Sequence, residues 1–207
     1  MNFIPILDYT SVLVFALSGA LVASRQQLDL IGFAFVACLT AVGGGTIRDV
    51  LLNRDVVFWI DEPAYILLAV ATSVIVFFTA HRLESRMKAI IWADAIALGV
   101  AVAAGSGVAL KLGHSPIIVV LMGVATGSFG GLMRDVVCNE VPLILKQGEL
   151  YASAAFAGSL ALVMGDTLGV APIYGYAACC ILTLALRAGS IVFGWTLPSY
   201  KSRPPRS

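Results

Sequence analysis

Moved along by 86 residues, this chain falls onto itself. Gly45, Arg48 and Asp49 land on Gly131, Arg134 and Asp135 (131 − 45, 134 − 48, 135 − 49). Without a gap, the same offset pairs Asp8 with Asp94, Gly19 with Gly105, Val22-Ala23 with Val108-Ala109 and Arg25 with Lys111. It also pairs Thr40 with Thr126, Asn53 with Asn139 and Tyr65 with Tyr151. In a chain rich in Ala, Val and Leu, apolar identities arise by chance, so the polar and glycine matches carry the inference. The chain is an internal duplication of roughly residues 4–80 and 90–166.

Composition fixes the solvent. Only 12% of the 207 residues are charged, 59% are hydrophobic, and mean hydropathy is +0.95. Soluble domains carry about 25% charged residues, so these residues cannot coat a soluble surface and the chain reads as a polytopic membrane protein whose partner is the lipid bilayer. A net charge of +1 argues against nucleic acid. Spans are expected from Asp8 to Ser24, within Asp29 to about Ile60, and from Ala64 to Ala80. After a charged loop, His81 to Lys88, three more follow: Ala89 to Leu110, Ser115 to about Leu145, and Glu149 to Met164. About Pro172 to Trp195 forms a seventh without a counterpart, before a basic, proline-rich tail. A cleaved signal peptide is disfavoured at the start, which lacks Lys and Arg and recurs internally.

Three spans per copy is an odd number, so the second copy enters the bilayer from the opposite side. The expected fold is an all-α integral membrane protein with seven transmembrane helices, an inverted 3+3 repeat plus one. Its units are residues 1–88, 89–166, the seventh helix in 167–197, and the tail 198–207. One side collects Arg25, Arg82, Arg86, Lys88, Lys146, Lys201, Arg203 and Arg206, the other little beyond Arg54 and Lys111. The first side should be cytoplasmic, with the N-terminus outside and the C-terminus inside.

The second and fifth segments are each about 31 residues long, where roughly 20 suffice to cross the hydrocarbon core. Gly44 and Gly130 sit at their middles. Each glycine of the Gly43-Gly44-Gly45 triplet costs about 1 kcal/mol against alanine, so both helices are expected to break there. Broken helices expose dipole ends and must line a cavity or be buried, as in an ion or solute path near mid-membrane. The alternative is close packing, since Gly123, Gly127 and Gly131 are spaced by four, matched by Ala37, Ala41 and Gly45.

Charges at such depth are functional-site candidates. Arg48-Asp49 and Arg134-Asp135 either border the path or form crossed pairs, Arg48 with Asp135 and Arg134 with Asp49, that clamp the copies together. Asp8 and Asp94 serve either as helix-start carboxylates or as path residues. Thr40, Thr46, Thr126 and Ser128 either line the path or bond their own backbone. Arg187 is expected to snorkel toward the cytoplasmic interface. Cys38, Cys138, Cys179 and Cys180 lack ligand-like spacing, and His81 and His114 are isolated. No enzyme, cofactor or metal reading emerges.

The two elements Gly43-Gly44-Gly45-x-x-Arg48-Asp49 and Gly130-Gly131-x-x-Arg134-Asp135, with the three-plus-three-plus-one layout, resemble the prokaryotic TRIC family, the trimeric intracellular cation channels. Bacterial sequences of this kind also carry the label glycine transporter. The resemblance implies a homotrimer in the prokaryotic plasma (inner) membrane, each subunit with its own pore between kinked second and fifth helices. It implies conduction of monovalent cations, potassium favoured, with sodium as the other ion to test. Carried over by position, the bends lie at Gly43, Gly44, Gly45, Gly130 and Gly131, with Gly127 counted among the pore glycines and Arg48 and Arg134 beside the path. Phe129 replaces the first glycine of the triplet, as an apolar constriction or the mark of a weaker bend. Two other readings stand beside the channel: a secondary transporter of a small solute such as glycine, and a non-conducting scaffold.

Overall fold

In a computed structural model, residues 3–82, 85–146 and 149–198 are described. The first copy contains α1 (Ile4–Arg25), α2 (Leu30–Leu51), the one-turn α3 (Phe58–Asp61) and α4 (Ala64–Thr79). The second contains α5 (Arg86–Lys111), α6 (Pro116–Val137), a 3₁₀ turn at Leu143–Leu145 and α7 (Ala152–Thr167). Last comes α8 (Pro172–Phe193). Of the tail, residues 199–207 lie outside the described residues.

The duplication extends to helix ends. Both ends of α2 and α6 differ by 86 positions (116 − 30, 137 − 51). Gln27 and Gly113 stop α1 and α5 with φ of 54° and 77°, and Asn53 and Asn139 follow α2 and α6 with φ of 50° and 54°. The left-handed residue lets a later amide reach back to an orphan carbonyl. Arg54 N donates to Asp49 O and Glu140 N to Asp135 O, at 3.0 and 2.8 Å. At its start α2 is capped by Asp29, whose carboxylate accepts from Gly32 N at 2.8 Å.

α1 and α5 pack against each other at the centre; α1 also packs on α2 and α4, and α5 on α6 and α8. Accordingly α5 is buried along most of its length, whereas α4 and α8 leave Leu67, Ile75, Phe78, Ile181 and Phe193 exposed, an apolar exterior suited to lipid.

One expectation needs correction. The long second and fifth segments are not broken at glycine: α2 and α6 are each hydrogen-bonded through Gly43–Gly45 and Gly130–Gly131. Their extra length is used beyond Asn53 and Asn139, where the chain turns back into α3 and the 3₁₀ turn. Among the described residues, six helices are long and apolar enough to cross a membrane. α7, at 16 residues, falls below that length.

The glycines have another use. A Cβ on Gly44 would strike the carbonyl oxygen of Thr126, and one on Gly130 that of Thr40. Since position 44 meets 126 and position 40 meets 130, α2 and α6 cross antiparallel, with the pseudo-two-fold axis between them. Successive helical residues point about 100° apart, which explains the triplet. Gly43 makes room for Met133, Gly44 for the Thr126 backbone, and Gly45 for the Phe58 ring. One level out, Gly19 and Gly105 let α1 and α5 approach Thr40 and Thr126. Close packing is what these residues accomplish.

Candidate functional site

On either side of the glycine crossing lies a buried network with the same plan. In the first copy, Arg48 reaches Asp49 Oδ1 through Nε at 2.7 Å and Asp8 Oδ1 through Nη1 at 2.9 Å. In the second, Arg134 reaches Asp135 Oδ1 at 2.7 Å and Asp94 Oδ1 at 2.9 Å by the same atoms. Both arginines are fully buried. Their partners lie within their own copy, so the crossed pairs Arg48–Asp135 and Arg134–Asp49 do not form. The reason is geometric: Asp8 and Asp94 lie not at the helix starts but five and nine residues into α1 and α5, where they face the end of the neighbouring helix in the same copy.

The second oxygen of each following aspartate holds the returning chain. Asp49 Oδ2 accepts from Phe58 N at 2.8 Å, and Asp135 Oδ2 from Leu143 N at 2.9 Å. Buried charges persist only when paired and hydrogen-bonded, and these carboxylates are.

Around this shared plan the copies differ. In the first, Arg54 adds a second cation to Asp49 Oδ2 at 3.2 Å, and the Phe58 ring lies 5.3 Å from the Arg48 guanidinium carbon. In the second, Arg134 also donates to Ser18 Oγ of the other copy. Gly131 lies against Asp94 Oδ1 and the Tyr151 hydroxyl; a Cβ there would sit 3.1 and 3.3 Å from them. From α8, Arg187 stacks on Tyr151 with 4.8 Å to the ring centroid and bonds Glu149 at 3.1 Å. Arg187 is thus fully buried and does not snorkel: it finds a carboxylate partner and an aromatic face inside the protein. Arg48 Nη2, Arg134 Nη2 and Asp94 Oδ2 are buried without a protein partner among the described residues.

Of the hydroxyls, Thr40 and Thr126 bond their own helices at Val36 O and Met122 O, each at 2.6 Å. Thr46 bonds Val42 O and receives the Trp59 indole N–H at 2.9 Å. Ser128 is buried and its hydroxyl has no partner among the described residues, Phe129 is half-buried, and Gly127 packs on Val102 and Leu98 of α5. Missed from sequence were Ser18, Arg54, Phe58, Glu149, Tyr151 and Arg187 as members of the networks. The Tyr65–Tyr151 match was one available signal, and a lone arginine deep in α8 was another.

A cavity of about 400 Å³ opens beside the first network. Asp8, Arg54, Asp61, Glu62, Tyr65 and Lys111 line it. Through it the Asp8 side chain keeps 10% exposure, whereas that of Asp94 has none.

The sequence family described as "Glycine transporter" matches residues 5–81 and 91–167, two copies at the offset of 86 (91 − 5, 167 − 81). An inner membrane protein of Escherichia coli K12, YadS, is 35% identical over 202 residues, covering 94% of each chain. A membrane protein of Vibrio cholerae is 36% identical over 204 residues, covering 94% of this chain and 82% of that one. Among solved structures, the trimeric intracellular cation channel orthologue from Rhodobacter sphaeroides superposes with a TM-score of 0.91 at 40% identity, over 94% of this chain and 100% of that one. A prokaryotic TRIC channel studied in 0.5 M KCl gives 0.87 at 28%, over 94% and 98%. A Caenorhabditis elegans relative, at 17% identity and a TM-score of 0.61, shares the fold. The solved bacterial relatives are membrane channels rather than enzymes. With its duplicated match to the family sequence and its end-to-end likeness to solved bacterial members, the chain belongs to the prokaryotic TRIC family.

Proposed function

We propose that the protein is a cation channel of the bacterial inner membrane, with one path in each subunit between the two inverted copies. Potassium is the favoured ion, and three chains assemble. The single observation that carries this reading is the likeness, along 94% of the chain, to the Rhodobacter sphaeroides cation channel. The cavity supports it, because it brings water to a carboxylate, Asp8, beside a buried charge network at the α2–α6 crossing. With Gly44 and Gly130 pressed against carbonyls of the opposite helix, the crossing reads as shut. Small separations of α2 and α6 there would open it. α7 completes seven spans in this reading: its 16 residues extend about 24 Å, and it packs on α6 and α8. The Arg25 end faces the cytoplasm, where lysine and arginine gather.

The test is flux in proteoliposomes loaded with potassium chloride, a proton ionophore carrying the compensating charge. Protein-dependent, potassium-driven proton uptake with no added solute is the expected result, and sodium in place of potassium should give less. The family's description favours a second reading, transport of a small amino acid. Saturable uptake of labelled glycine without potassium movement would replace the channel by that transporter.

A further inference from the structure

We infer that the path is latched at one end only: Arg25 and Gln26 of the first copy close on Glu140 of the second, and among the described residues the opposite mouth has no such closure. The functional reading of this latch rests on the proposed path between the copies; its contacts do not. Arg25 Nη1 sits between both Glu140 oxygens at 3.2 and 3.3 Å. Gln26 Nε2 donates to Glu140 Oε1 and to the Cys138 carbonyl, each at 3.2 Å. The end of α1 is thereby tied to the end of α6. From α5, Arg86 holds the Ser24 carbonyl at 3.2 Å, and Met87 sulfur lies 3.7 Å from Arg25.

The duplication supplies the control. At the offset of 86, Arg25, Gln26 and Glu140 become Lys111, Leu112 and Arg54 (111 − 25, 112 − 26, 140 − 54). Two cations and a leucine cannot make this closure. Arg54 instead turns inward to Asp49, and Lys111 and Leu112 line the cavity that reaches Asp8. Beneath the latched end, the equivalent carboxylate, Asp94, is sealed. The latch pair is partly exposed, at 33% and 24%, so it breaks at small cost, as a gating contact must.

The experiment compares the wild type with Arg25→Gln, Glu140→Gln and the swap Arg25→Glu/Glu140→Arg in proteoliposomes. All have Cys38, Cys179 and Cys180 replaced by alanine. Potassium flux is read together with the rate at which a membrane-impermeant maleimide labels Cys138, which is half-buried at this mouth. Both single variants should raise flux and labelling about two- to fivefold, the factor that loss of a partly exposed pair permits, and the swap should return both toward wild type. Arg25→Gln is the decisive variant. Burial and, less, neighbouring Glu140 push the Cys138 thiol up, so removing Glu140 speeds labelling by itself, whereas removing Arg25 does not. Unchanged labelling in Arg25→Gln, or a swap no slower than the singles, overturns the latch. If no protein conducts but labelling follows the expected order, the latch stands and the channel reading falls.

Discussion

The two charge networks share every internal bond and differ at their edges. Arg48 and Arg134 bind the same pair of carboxylates through the same atoms, and the following aspartates hold the returning chain alike. At the edges, the first network gains Arg54 and an opening to the cavity, and the second gains Ser18, Tyr151 and Arg187. Formally, one Arg with two Asp leaves an excess of one negative charge in each. Arg54 offsets it in the first; in the second, Arg187 is already matched by Glu149. What must stay buried is kept in both copies, while the rims, where water can reach, have diverged.

The largest expected effect tests that difference directly. Arg134→Met leaves Asp94 and Asp135 buried without their cation and should cost about 3–5 kcal/mol. Arg48→Met should cost about 1–2 kcal/mol less, because Asp49 keeps Arg54 and Asp8 can draw on water in the cavity. Unfolding in detergent of rising denaturant fraction measures both. Equal losses would mean that Arg54 and the cavity contribute nothing, and the asymmetry between the networks would be one of geometry alone.

Where the copies are alike, the effects should match. A methyl group at Gly44 or at Gly130 meets a backbone carbonyl of the opposite helix, which cannot swing away as a side chain can. Gly44→Ala and Gly130→Ala should each lower stability by about 1–3 kcal/mol, and by the same amount within about 0.5 kcal/mol. Gly43→Ala should cost less than either, since the atom in its way is the sulfur of flexible Met133. Losses that differ widely between Gly44 and Gly130 would show that the crossing is not pseudo-symmetric.

The duplication, the helices and the importance of the glycine–Arg–Asp elements were legible because each leaves a mark at a fixed offset. Gly44 and Gly130 stood out for the same reason, but sequence left their role open between a helix break and close packing and leaned toward the break. Helix propensity counts the local cost of a glycine and is silent on what a neighbouring helix gains by touching it. The charge partners were misassigned for a related reason: sequence shows which charges occur together, while pairing depends on which helix faces which end. Asp8 and Asp94 were in view, yet their distance from Arg48 and Arg134 along the chain, 40 positions in each copy, hid the contact. Arg187 and Glu149 have no equivalents in the first copy, so the repeat could not point to them. Nor could it place Ser18, whose bond to Arg134 crosses between copies.

The smallest effect concerns the open mouth. Lys111 stands in the cavity with Asp61 and Glu62, where its charge opposes the attraction those carboxylates exert on an entering cation. Lys111→Gln removes that charge without touching the Arg48 network, whose partners are Asp8, Asp49 and Arg54. Under the channel reading, potassium entry should rise about 1.5- to 2-fold at low ionic strength, because a rim charge acts on the local ion concentration. In about 1 M salt, where the Debye length falls to about 3 Å, the gain should vanish. Arg25→Gln removes a cation from the other mouth but also undoes the latch, so part of its effect should survive high salt. Conductance at the two salt concentrations therefore separates a charge that only screens from one that also holds the chain shut. If both variants lose their effect equally in high salt, the two mouths differ in charge but not in closure.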